Sequence, residues 1–98
     1  MNYAGAFAPG GGTGNANVTT SAAETALSGT GNVVRIVNTG SVVVFIATDV
    51  SVADATASNF PVAGGSVAFL SVPNEHQSIG YLSASSTATI YFTRGSLG

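Results

Sequence analysis

The sequence predicts an all-β fold, a small antiparallel β-sandwich or jelly-roll-like barrel of six to seven strands behind a Gly-rich N-terminal arm. Three observations carry this. Val, Ile, Phe, Tyr and Thr are concentrated in short runs, turn-forming residues separate the runs at intervals of about ten residues, and nowhere does a strand run alternate with a helical pattern as a parallel sheet requires. The chain has 98 residues, enough for one domain, and a domain of that size buries only roughly 60–65% of the surface of its unfolded chain. With no Cys there is neither a disulfide framework nor a thiolate metal site to add stability.

The first 16 residues, MNYAGAFAPGGGTGNA, hold five Gly and one Pro and have no apolar periodicity. They are expected to form a flexible or extended arm, residues 1–16, ahead of a β-domain over 17–98. Tyr3 and Phe7 are the aromatic side chains of that arm, suited to anchoring it on a partner. Deleting the arm is expected to leave a folded domain that has lost its attachment.

Val18 to Leu27 is the first β-prone run. Ser21-Ala-Ala-Glu24 matches a helix capping box with Gly29 as a stop, but the helix would be barely two turns, and Thr19-Thr20 favour a strand. Asn32–Asn38 (NVVRIVN) and Val42–Thr48 (VVVFIAT) follow, and the Thr-Gly-Ser link between them predicts a hairpin. Both runs are apolar on each face, where a strand buried on one side would alternate with polar residues. Val33 and Val37, with Val43 and Phe45, are therefore expected to form a second apolar face that meets either a second chain or a covering loop. Arg35 shares the face of Val33 and Val37 and is expected to reach solvent or to pair with Asp49 or Asp54.

Residues 49–65 read as a loop with a short strand near Phe60–Val62. Ser66–Val72, Ser78–Ala84 and Thr87–Thr93 come in quick succession with turn composition between them, and predict an antiparallel meander. In the last run Ala88, Ile90 and Phe92 alternate with Thr87, Thr89, Tyr91 and Thr93, the pattern of a half-buried strand.

The groups available for chemistry are few. One His, four carboxylates and three Tyr are present, and no G-x-S-x-G elbow presents a nucleophile, so no catalytic residue is assigned. His76 beside Glu75 lacks convergent metal ligands, and the Val-Ser-Val-Ala between Asp49 and Asp54 lacks the alternating oxygen donors of a calcium loop. Gly10 to Gly14 has no Gly-Lys-Ser/Thr and so is not a phosphate loop. No cofactor and no metal are expected.

Charged residues are 6% of the chain, with no Lys and with Arg35 and Arg94 as the cations. Soluble domains ordinarily carry near 25%. A net charge of −2 argues against binding the phosphates of nucleic acid, and the longest apolar run, Val42–Ala47, is far shorter than a bilayer span. No basic, apolar leader opens the sequence, so the chain is expected to be soluble, uncleaved and made in the cytoplasm, with no membrane partner. Ser and Thr supply 23 residues and Ala and Val 27, a composition whose hydroxyl-rich, partly apolar surface suits long-lived contact with other subunits, including copies of itself.

Three segments resemble a family of small bacteriophage structural proteins: Val33-Val34-Arg35-Ile36-Val37-Asn38-Thr39-Gly40, Asn59-Phe60-Pro61-Val62-Ala63-Gly64-Gly65-Ser66-Val67, and Thr87-Ala88-Thr89-Ile90-Tyr91-Phe92-Thr93-Arg94-Gly95. The resemblance implies a capsid decoration or cement protein on the outside of a phage head, bridging capsomers, with the major capsid protein as partner. A tail or fibre module is the alternative, and a glycan- or receptor-binding module with Tyr81 and Tyr91 as surface aromatics is a further one.

Overall fold

In the computed structural model of the chain, residues 7–48, 60–72 and 78–97 are described. They form nine strands in two antiparallel sheets. The first sheet contains β1 (Phe7–Pro9), β2 (Gly14–Val18), β4 (Val33–Asn38), β7 (Val67–Ser71) and β9 (Ala88–Leu97), and the second contains β3 (Ala23–Ala26), β5 (Val44–Ala47), β6 (Phe60–Val62) and β8 (Ser78–Ser83). Alternation explains the layers. Val34 and Ile36 on β4, Ile90 and Phe92 on β9 and Val18 on β2 point inward from the first sheet, and Val44, Ile46, Ile79 and Tyr81 meet them from the second.

Strand order in the first sheet is β1-β9-β4-β7, with β2 on β9, and in the second β3-β8-β5-β6. The pairs are nested: β5 with β6, β4 with β7, β3 with β8 and β2 with β9. The chain is thus a ribbon doubled back on itself and then folded across two layers.

Several expected pairings give way to this nesting. The runs 32–38 and 42–48 do contain strands, β4 and β5, but not a hairpin: β4 lies between β9 and β7 in the first sheet, and β5 between β8 and β6 in the second. The link between them steps from one layer to the other, and Asn38 fixes that step. Its side chain is fully buried; Nδ2 donates to the carbonyls of Val42 (2.9 Å) and Val62 (3.0 Å), while Oδ1 accepts from the Gly40 N–H (2.9 Å). The last three runs are likewise not a meander, because β7 and β9 flank β4 whereas β8 lies in the opposite layer. The run 18–27 is extended, as expected over a helix, but it breaks at 19–22 so that β2 and β3 serve different sheets; Thr19 Oγ1 accepts from the Ser21 N–H (3.2 Å) at the break.

The boundary drawn between residues 16 and 17 falls inside β2. β1 and β2 line one side of β9, Phe7 opposite Leu97 and Val18 opposite Ala88. The four residues 10–13 stand opposite the two residues 93–94, so the Gly-rich stretch is a bulge in an edge strand. The Gly10 N–H donates to the Arg94 carbonyl (2.7 Å) and the Gly10 carbonyl accepts from Thr30 (3.1 Å). Two close crossings demand glycine here. Gly31, at φ +124°, has no room for a Cβ against the Gly95 backbone, and a Cβ on Gly95 would overlap the Ala8 carbonyl and lie 2.8 Å from the Phe7 ring. Arg94 is buried, and its Nε donates to the Gly31 carbonyl (2.8 Å), which ties the 27–32 crossover to β9.

Two outcomes follow from these contacts. Asn38→Ala leaves two carbonyls and one N–H without their partner and is expected to cost about 2–4 kcal/mol, read as a lowered urea midpoint at unchanged m-value; a cost well under 1 kcal/mol would show that water replaces the side chain. Deleting residues 1–16 strips β9 of its β1 and β2 partners from Ile90 onward and removes buried Ala16. The truncated chain is expected to lose its cooperative thermal transition, the reverse of what a separable arm would do.

Candidate interaction surface

The outer face of the first sheet follows from the register. Val33, Arg35 and Val37 alternate with buried Val34, Ile36 and Asn38 and so point away from the core. The rows across the strands are Ser71, Val33, Gly95 and Pro9; then Phe69, Arg35 and Thr93; then Val67, Val37, Tyr91 and Asn15. Val67 is 47%, Phe69 44% and Tyr91 42% exposed, while Val33, Arg35 and Val37 are half-buried between them.

Phe7 belongs to this face. Its ring lies over Gly95, where no side chain obstructs it, and its centroid is 5.8 Å from that of Phe69 at an interplanar angle of 51°, within the range of a tilted aromatic pair. The hydroxyls of Thr13 and Thr93 are hydrogen-bonded at 2.7 Å alongside. The result is an apolar and hydroxyl-bearing surface spread over β7, β4, β9 and β1, with the Arg35 side chain in its middle row. Scattered exposed apolar residues need no explanation, but a contiguous group across several strands marks a contact surface.

The expected hairpin face is divided by the sandwich. Val33 and Val37 lie on the outer face of the first sheet, whereas Phe45 pairs with Leu82 on the outside of the second, where Leu82 packs on Ala47. Val43 precedes β5 and is half-buried, its carbonyl accepting the Ala84 N–H (2.9 Å). These four residues therefore do not form one surface. The cause is the layer-to-layer step at Asn38, which sends the two apolar runs to opposite sides of the core.

Tyr81 is not a surface aromatic. It stands opposite Ile46 in phase with Ile79 and Ser83, faces inward and is 5% exposed, and its hydroxyl is hydrogen-bonded to that of Thr25. Tyr91 is exposed, as expected. Tyr3, Asp49, Asp54, Glu75 and His76 lie outside the described residues. Val67 and Phe69 were not distinguishable in the sequence. Ser66–Val72 is apolar in both phases, and only the pairing with β4 shows that Ala68 and Leu70 turn inward and Val67 and Phe69 outward.

No model of a known protein family matches the chain, and no curated protein matches it.

The two tyrosines should separate cleanly in unfolding experiments. Tyr81→Ala opens a cavity between the sheets and is expected to cost about 3 kcal/mol or more, whereas Tyr91→Ala should change stability by no more than about 1 kcal/mol. Comparable losses at both positions would place Tyr91 in a structural role.

Proposed function

We propose that this protein is a structural subunit of a bacteriophage particle, specifically a decoration or cement protein that sits on the outside of the head, bridges capsomers and contacts the major capsid protein through the outer face of its first sheet. The observation that carries the reading is the exposed row of Val67 and Tyr91 flanking Val37, with Phe69 and Phe7 beside it. Burying such a surface gives roughly 25 cal/mol for each Å² of apolar area removed from water, and many copies on a symmetric shell turn modest contacts into firm attachment. The scarcity of charge fits the same role, since few ions have to be desolvated when the surface is covered.

Two further points support the reading. The nested strand order favours describing the sandwich as a double-sheet jelly roll, an architecture that viral capsid domains use, although lectins use it too and fold alone does not assign function. Of the segments that resemble phage structural proteins, two supply β4 and most of β9, strands of the proposed contact face, and the third supplies β6 of the second sheet and the approach to β7. In this reading the protein acts by covering surface, without catalysis or cofactor, and attachment comes from a sheet face and not from a detached arm. It is made in the host cytoplasm and ends on the capsid surface, where it associates with its own copies.

Electron cryo-microscopy of purified particles tests the proposal. The expected result is density for the chain at regular positions between capsomers with Val67, Phe69 and Tyr91 turned toward the shell, and loss of head binding by a folded Val67→Asp, Tyr91→Asp double variant. Density confined to the tail or fibres would transfer the protein to the alternative assignment, and undiminished binding by the double variant would exclude this face.

A further inference from the structure

The two sheets expose four edges, and three of them are blunted. On one side of the first sheet, Pro9 and the bulge at residues 10–13 interrupt β1 and β2. In the second sheet, β6 is three residues long with Pro61 at its centre, and β3 is four residues long and carries Glu24, whose carboxylate accepts from Ser78 Oγ (3.3 Å). Short strands, prolines, bulges and charges are the devices that keep sheet edges from pairing with other chains. The fourth edge, β7, has none of them. Val67-Ala68-Phe69-Leu70-Ser71 is uninterrupted, uncharged and free of proline, and no described strand lies beyond it.

The hydrogen-bond phase of β7 is fixed at both ends. The Asn38 N–H donates to the Ser66 carbonyl (3.0 Å) and the Val72 N–H to the Asn32 carbonyl (2.8 Å). Antiparallel ladders alternate, so the even-numbered residues 66 to 72 bond to β4 and the N–H and C=O groups of Val67, Phe69 and Ser71 face the open side. The same three residues turn their side chains to the outer face.

From this we infer that β7 is the seam of a symmetric dimer, in which the β7 strands of two copies pair antiparallel about Phe69 and join two first sheets into one. In that register Phe69 faces Phe69 of the second copy, Val67 faces Ser71 and Ser71 faces Val67, so every outward N–H and C=O of both strands finds a partner. A second copy suits this edge because neither strand brings a charge to the seam, and the exposed Val67 and Phe69 of the two copies become neighbours on one outer face. The inference concerns the isolated protein and does not depend on a role in a phage head.

The test uses the full-length protein alone. Sedimentation is expected to show a concentration-dependent dimer. Amide exchange should show protection at Val67, Phe69 and Ser71 that rises with protein concentration, against constant protection at Ala68 and Leu70. Phe69→Lys and Phe69→Glu should each be monomeric, and mixing them should restore a one-to-one dimer, because only a symmetric register places position 69 opposite itself. Ser71→Pro removes an outward N–H at the end of an edge strand, a position where proline is tolerated, and should weaken the dimer by about tenfold or more, which decides the matter even if the Phe69 variants fail to fold. A protein that stays monomeric at every concentration, a dimer indifferent to Ser71→Pro, or protection that arises only on adding phage heads would each overturn the second-copy inference, the last by giving the edge to another chain.

Discussion

Strand β9 is hydrogen-bonded along both of its sides, and the first sheet exists through it. β1 and β2 lie on one side and β4 on the other, and β7 is attached only by way of β4. Two close backbone crossings lie on this strand. Gly31 and Gly95 leave room for one chain to pass directly over another, and Arg94 holds the crossover between β3 and β4 against it. The bulge at residues 10–13 has a plain purpose in this setting. It takes up the extra length of the edge strand so that Phe7 to Pro9 and Gly14 to Val18 can each lie in register with β9.

A second constraint acts across the layers. The sandwich is filled mainly by Val and Ile, with Phe92 and Tyr81 as its largest members, so little volume is available to absorb polar groups that are not fully matched. Of the buried polar residues, Thr93 bonds to the Thr13 hydroxyl, and Asn38, Ser83 and Arg94 bond to backbone. Asn38 serves two carbonyls and an N–H, and Ser83 donates to the Ser86 carbonyl (2.6 Å) across a turn in which Ser86 takes a left-handed φ of 57°. Side chains of this kind set corners and give the fold its path.

Most strands were legible because the information lies in residue type and period. β4, β6, β7, β8 and β9 fall where the runs of β-branched and aromatic residues put them. The partner of each strand was not legible. A Thr-Gly-Ser link reads as a hairpin from its residues alone, and what turns it into a step between layers is Asn38 reaching a carbonyl on β6, twenty-four residues away. The N-terminal strands were hidden for a different reason. Gly and Pro weaken the local signal, and the ladder that orders residues 7–18 comes from a strand some eighty positions later. The contact face shares this limit, since Phe45 and Val33 look equivalent in sequence and only the layer assignment parts them.

The nested pairing also bears on how the chain is made. A ribosome delivers residues from the N-terminus onward, and domains ordinarily fold as units while they emerge. Here the innermost pair, β5 with β6, can close early, and β4 with β7 and β3 with β8 can follow outward. β2 must wait with Val18 unburied until residue 88 and those after it have been made. Topologies ruled by such distant pairings fold slowly, so β2 holds Val18 without a partner while about seventy further residues are made. The Gly-rich, weakly β-forming character of residues 10–16 lowers the tendency of that waiting segment to pair with a wrong strand first.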